Sequence, residues 1–268
     1  AYVSFISVLF TGILNGMQKF IWQNSTGFIS TILKFTLAII LVTIGFKVNG
    51  ALTAVLLGML LSLFISYIPI KKEIKEKSIS FNLKKIYLYA IPVFFASILF
   101  ILIITMDEIL VKHFFSSEQA GIYIAAATIG KIIWFGTGFL IGPLFPKIVS
   151  LRTQKKDTSH ILRTTLIFVA SLAMLGCLIL FIAPSFITHI LFGSAYQTAT
   201  PLILYFGIAL GLFSLIQILM IYNLAIEKFN FIYILLAGVI LEIITITLFH
   251  NTISEVVKIL LGTNIFIF

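Results

Sequence analysis

Charge is what this sequence has least of. Only 10% of its 268 residues are Asp, Glu, Lys or Arg, against roughly 25% in a soluble domain. So little charge cannot wet a globular surface, which excludes a soluble enzyme, a disordered chain and a collagen-like fibre. Cysteine occurs once, as Cys177, so an internal disulfide and a cysteine zinc site are both excluded. No Gly-rich phosphate loop is present, which argues against ATP-driven pumping. His113, His160, His189 and His250 lie at segment ends, without metal-ligand spacing or a neighbouring nucleophile. No cofactor and no metal are expected. What is there instead is apolar: 60% of residues are hydrophobic, and the mean hydropathy is +1.18. The chain reads as a polytopic membrane protein.

A spanning helix needs about 20 mainly apolar residues. Nine candidate segments meet or approach this: 1–15, 25–46, 49–69, 83–105, 119–145, 160–183, 197–222, 229–248 and 253–268. Polar or Gly/Pro punctuation separates them, as at Asn49-Gly50, Met106 to Glu118 and Pro146 to Ser159. The runs are too long and too evenly apolar for barrel strands. The chain opens at Ala1 and stops at Phe268, both within apolar runs, and reads as a fragment of a longer protein. The expected fold is all-α, a transmembrane helix bundle whose first and last segments are cut short.

The connections alternate sides, so their charges report orientation. One set carries thirteen basic residues: Lys19; Lys71, Lys72, Lys75, Lys77, Lys84 and Lys85; Lys147, Arg152, Lys155, Lys156 and Arg163; and Lys228. The other carries Lys47 and Lys112. The positive-inside rule makes the first set cytoplasmic, placing the loops near 16–24, 70–85, 146–160 and 225–230 inside an inner (cytoplasmic) membrane. The net charge of +9 is thereby spent on orientation and anionic headgroups, and nucleic acid is not a partner. Residues 71–82 read as a basic cytoplasmic linker or as an amphipathic surface helix, with Ile74, Ile79 and Phe81 between lysines. They divide 1–70 from 83–268.

An ionisable group inside a spanning helix costs at least ~2.5–3.5 kcal/mol and should face protein or water. Lys34, Lys131, Glu242 and Lys258 qualify. Lys131 falls about twelve residues into its segment, near mid-depth. Thr128 and Trp134 share its helical face, and a cation beside an indole suits an anionic sugar-phosphate. The alternative is a lysine donating to backbone carbonyls. Lys34 shares its face with Gly27, Ser30, Thr31 and Ala38, a stripe that suits either a ligand or tight helix packing. Glu242 and Lys258 flank the 250–252 turn, where they would pair with each other, unless Glu255 takes Lys258, Lys258 snorkels outward, or Glu242 couples to a proton or a cation. Asp107 and Glu108 fall at a helix C-terminus, which the macrodipole disfavours. Tyr123 is placed in an interfacial aromatic belt, and Gln217 as an interhelical hydrogen-bond partner.

Several runs in order carry a more specific signal: Gly16-Met17-Gln18-Lys19-Phe20, Ala90-Ile91-Pro92, Asp107-Glu108-Ile109-Leu110-Val111, Ala120-Gly121-Ile122-Tyr123, Gly142-Pro143-Leu144-Phe145-Pro146-Lys147 and Leu191-Phe192-Gly193-Ser194-Ala195-Tyr196. This order resembles the polysaccharide-biosynthesis flippases, the Wzx-like exporters of lipid-linked oligosaccharides. Their superfamily also holds multidrug-and-toxin antiporters and the lipid II flippase. The resemblance implies a two-lobed, MATE-like architecture, with 1–70 ending the first lobe and 83–268 forming most of the second. It implies no enzymatic activity. It implies translocation of an isoprenoid-diphosphate-linked oligosaccharide, with membrane lipids and other polysaccharide assembly proteins as partners. Lys34, Lys131, Trp134 and Thr128 would bind substrate, with both lysines facing one cavity. Asp107 matches a recurrent acidic position and, with Glu242, would couple transport to a cation. A multidrug antiporter is the rival, favouring an acidic cavity, and an intramembrane polymerase or glycosyltransferase is a third reading.

Overall fold

The computed structural model describes residues 2–74 and 83–268. Residues 75–82, most of the expected linker, lie outside the described residues. All regular structure among the described residues is helical, and the chain divides into two compact units, Ala1–Phe81 and Asn82–Phe268. Among the described residues, six stretches are long and apolar enough to cross a membrane: Phe20–Lys71, Ile86–Phe114, Ser117–Thr153, Ser159–Ile182, Ser194–Ala225 and Phe231–Leu248.

In the first unit, α1 (Tyr2–Gly16) is followed by α2 (Phe20–Leu41), a π turn over Val42–Phe46, and α3 (Lys47–Ile74). The stretch Phe20–Lys71 doubles back on itself. Gly45 takes φ 107° and Lys47 φ 49°, a left-handed conformation that glycine adopts without penalty. The turn therefore comes earlier than the expected Asn49-Gly50. Gly50 instead lets α3 start close against Leu41 and Phe46, whose Cβ atoms lie 2.9 Å from where its own would be. The returning helix packs on α2, and the Ser30 hydroxyl donates to the Gly58 carbonyl at 2.8 Å.

The second unit comprises α4 (Leu83–Phe114), α5 (Ser117–Gly138), α6 (Ile141–Thr153), α7 (Ser159–Ile182), the short α8 (Pro184–Phe192), a 3-10 turn over Ser194–Ala199, α9 (Thr200–Ala225), α10 (Phe231–Leu248) and α11 (Ile253–Ile267). Helix α9 is hydrophobic on every side, the pattern of a helix enclosed by others. It packs against α5, α6, α7 and α11. Small residues permit the approach: a Cβ on Gly130 would meet the Phe206 Cβ at 2.7 Å. Phe100 and Phe213 stack at 4.2 Å in the core. Phe28, Phe35, Phe135, Phe139 and Ile182 are instead exposed, a surface matched to lipid rather than water. Hydroxyls on such faces turn back onto their own helix, as when Thr105 donates to Ile101 O and Ser171 to Ile167 O.

Two boundaries need correction. The external stretch expected over 106–118 is almost entirely helical, because α4 runs to Phe114 and α5 begins at Ser117. The connection expected from Pro146 is helical as far as Thr153. The acids at 107 and 108 are accommodated inside α4 by side-chain partners on α5, Tyr123 and Lys131.

Candidate functional site

Two polar groupings stand out, one in each unit. In the first, Ser4, Ser7, Thr11 and Asn15 recur at helical spacing along one face of α1. With Met59 and Ser62 of α3 and Lys34 of α2, they line a cleft of about 450 Å³. A second cleft of about 340 Å³, lined by Gln23, Asn24, Thr26 and Ser66 among others, shares Thr11 and Ser62 with it. Lys34 is the one ionisable residue lining either. Its aliphatic stem lies against Gly58, where a Cβ would collide with the Lys34 Cγ. Among the described residues Lys34 has no ion-pair partner. Asn15 Oδ1 is buried without a hydrogen-bond partner among them.

In the second unit the acids of α4 divide between two partners on α5. Asp107 Oδ2 accepts from the Tyr123 hydroxyl at 2.8 Å, and Glu108 Oε1 accepts from Lys131 Nζ at 2.6 Å. Side chains lean toward the N-terminus of their own helix. Since the end of α4 and the start of α5 adjoin, Glu108 and Lys131 lean toward each other. The pair is about one-fifth exposed on each side. Lys131 is thus engaged by a carboxylate rather than by carbonyls.

Asp107 is buried, with Oδ1 unpartnered, and Glu242 is fully buried with both oxygens unpartnered among the described residues. Helix α10 packs on α4, and Glu242 comes within electrostatic reach of Asp107 and Tyr123. Asp107 lies seven residues from the end of α4 and Glu242 six from the end of α10, so both sit about 10 Å deep. Thr263 Oγ1 and Asn264 Oδ1 on α11 are also buried and unpartnered, while Asn264 Nδ2 donates to Ala209 O at 2.9 Å. No cluster of three or more His, Cys, Asp or Glu able to hold a metal occurs among the described residues.

Several expectations change. Glu242 does not pair with Lys258, which is exposed and sits 5.7 Å from the centroid of the Tyr205 ring. Glu255 does not take Lys258 either; it accepts from the Asn251 backbone. Asp107 is not at a helix end, and Tyr123 is a buried acid partner rather than a belt residue. The Trp134 indole donates to Gln217 Oε1 at 2.8 Å and packs on Phe100 and Phe213, while Thr128 is exposed and donates to Ile124 O. Gln217 is therefore interhelical, as expected. The role of Glu108 and the polar face of α1 were overlooked. The i, i+3, i+7, i+11 spacing of Ser4, Ser7, Thr11 and Asn15 was the available signal for that face.

A family model described as "Polysaccharide biosynthesis protein" matches residues 1–152. The match takes in Lys34, Asp107, Glu108, Thr128, Lys131 and Trp134, and stops short of Glu242. No curated protein and no solved structure matches the chain. Several apolar helices of spanning length and a family match over more than half the sequence agree: this is a multi-pass membrane protein of the polysaccharide biosynthesis family.

Proposed function

We propose that the protein is a flippase that moves an isoprenoid-diphosphate-linked oligosaccharide from the inner to the outer leaflet, for O-antigen, capsule or a similar surface polysaccharide. The observation that carries this reading is Lys34, a cation without a counter-ion among the described residues, on a cleft rich in hydroxyls between apolar helices. A cation there lowers the cost of bringing a diphosphate into low dielectric, the step that an unassisted lipid makes slowly. Hydroxyl and amide groups along the same cleft match the hydrogen-bonding of sugars. Lys131 serves as a second substrate contact once Glu108 releases it, with Trp134 and Thr128 on its helical face. In this reading the chain has nine spans, three in the first unit and six in the second, belonging to the two lobes of a MATE-like transporter in the inner membrane. The basic connections face the cytoplasm, and no covalent chemistry is performed.

The test is surface polysaccharide measured in cells carrying Lys34→Ala in the full-length protein, at equal expression. A charge-assisted hydrogen bond contributes about 1.5–3 kcal/mol, so export falls about tenfold or more. Unchanged export removes Lys34 from the site.

The buried acids favour a coupling step. Two buried carboxylates within reach of each other, with no ion-pair partner among the described residues, call for a proton or a metal cation between them. Asp107 and Glu242 are proposed as that coupling site. The same pair is what a cation-coupled antiporter would use, which is the observation favouring the second reading. Asp107→Asn and Glu242→Gln are expected to abolish dependence of transport on the ion gradient while leaving substrate binding in place, read by uptake into vesicles with and without a gradient.

A further inference from the structure

At the end of the second unit where the basic connections lie, α4, α6 and the C-terminus of α9 enclose a cleft of about 420 Å³. Phe145 and Val149 supply its apolar side, and Tyr89, Arg152, Thr153 and Glu227 its polar rim. Phe145, Val149 and Arg152 follow one another on a single face of α6 at i, i+4 and i+7. The apolar wall of the cleft therefore ends in a guanidinium.

The Arg152 side chain is held but not saturated. Its Nη1 lies 3.2 Å from Glu227 Oε1 and donates to the Ala225 carbonyl at 3.4 Å. A guanidinium has five N–H donors, so the remaining fork is open. Tyr89 donates to the Leu224 carbonyl at 3.2 Å and meets Phe229 edge-on. The last carbonyls of α9 are thus capped from α4 and α6, which fixes the rim. The Arg152–Glu227 pair is about half exposed, and such pairs hold weakly in water. A phosphate that engages a guanidinium through two parallel hydrogen bonds competes with it.

We infer that this cleft is a binding site for the phosphate headgroup of an anionic membrane lipid, with Arg152 as the phosphate ligand, Phe145 and Val149 against the upper acyl chain, and Glu227 as an internal competitor. Lys84, Lys147, Lys155, Lys156 and Lys228, carried on α4, on α6 and on the connections that follow α6 and α9, raise the local concentration of anionic headgroups. The site does not depend on what the protein transports.

The full chain is purified in detergent and titrated with phosphatidylglycerol or phosphatidylcholine, retained lipid being counted by native mass spectrometry, with inorganic phosphate as a competitor. Phosphatidylglycerol is expected to be retained in preference, and inorganic phosphate to displace it poorly because it lacks the acyl contact. Arg152→Gln weakens phosphatidylglycerol retention about tenfold. Glu227→Gln, which leaves Arg152 and its bond to Ala225 in place, strengthens it about threefold by removing the competitor. Equal retention of the two lipids, displacement by inorganic phosphate at matching concentration, or a Glu227→Gln variant that binds no more tightly would each overturn the assignment. A merely structural Arg152–Glu227 tether predicts weaker, not stronger, retention in Glu227→Gln, so that variant decides even if Arg152→Gln fails to fold.

Discussion

A lysine inside a spanning helix has three outlets: it snorkels to the surface, it pairs with an acid, or it meets an anion from outside. Lys131 takes the second through Glu108, and Lys34 has no acid partner among the described residues. Removing one partner of the first pair leaves a poorly solvated charge, so Glu108→Gln is expected to cost about 2 kcal/mol. The double variant Glu108→Leu/Lys131→Leu should recover most of that, measured by thermal unfolding in detergent. Lys34→Ala should unfold within about 0.5 kcal/mol of the parent, since no partner is stranded. Outside the spans, Asp157 Oδ1 accepts from the Ser159 amide and hydroxyl at 3.0 and 2.8 Å, which hold its carboxyl below the usual carboxylate range. That contribution is fully present above the unfolded value of about 3.9 and fades as pH falls through the lower folded value, so mild acid leaves the start of α7 intact. At this scale the sequence revealed which groups were out of place in lipid, because solvation alone singles them out. It did not reveal their partners: Glu108 and Lys131 are 23 positions apart, and pairing across helices depends on rotation that hydropathy does not encode.

Helices in this chain meet where side chains are smallest. A Cβ on Gly130 would lie 2.7 Å from the Phe206 Cβ and 3.1 Å from its carbonyl carbon. Gly130→Ala therefore forces α5 from α9 at a cost of about 1–3 kcal/mol. Gly136→Ala, on the same helix with nothing within 4 Å, should be neutral or stabilising by up to about 1 kcal/mol; the two melting temperatures should shift in opposite directions or differ clearly. Gly58→Ala places a methyl where the Lys34 stem runs, so it should lower export in the same direction as Lys34→Ala while α2 and α3 stay paired. Spanning stretches were readable from apolar length, but their ends were not. Met106 to Phe114 looks like a connection because it carries Asp107, Glu108, Lys112 and His113. It is helix because Tyr123 and Lys131 reach across to the two acids.

For the molecule as a whole, the orientation proposed from the basic connections puts 155–156 inside and 250–251 outside. With Cys177 replaced by serine, Lys156→Cys and Asn251→Cys should differ in intact cells: a membrane-impermeant thiol reagent labels position 251 and spares 156. The all-helical class and the family were legible from the sequence, since lipid imposes helices on any long apolar run and the ordered motifs as far as Lys147 lie within the matched region, with the run at 191–196 beyond it. The acid grouping of Asp107, Tyr123 and Glu242 was legible only in part, because its members come from three helices.

The Glu108–Lys131 bridge has one consequence for electrical behaviour. Because the two charges cancel, displacing Glu108 and Lys131 together carries no net charge through the membrane field, and a voltage does almost no work on that pair. Lys34 keeps its full charge, and each 100 mV across its path acts on it with up to about 2.3 kcal/mol. Any gating current from the protein's cationic residues should therefore shrink in Lys34→Gln and persist when Glu108 and Lys131 are neutralised together.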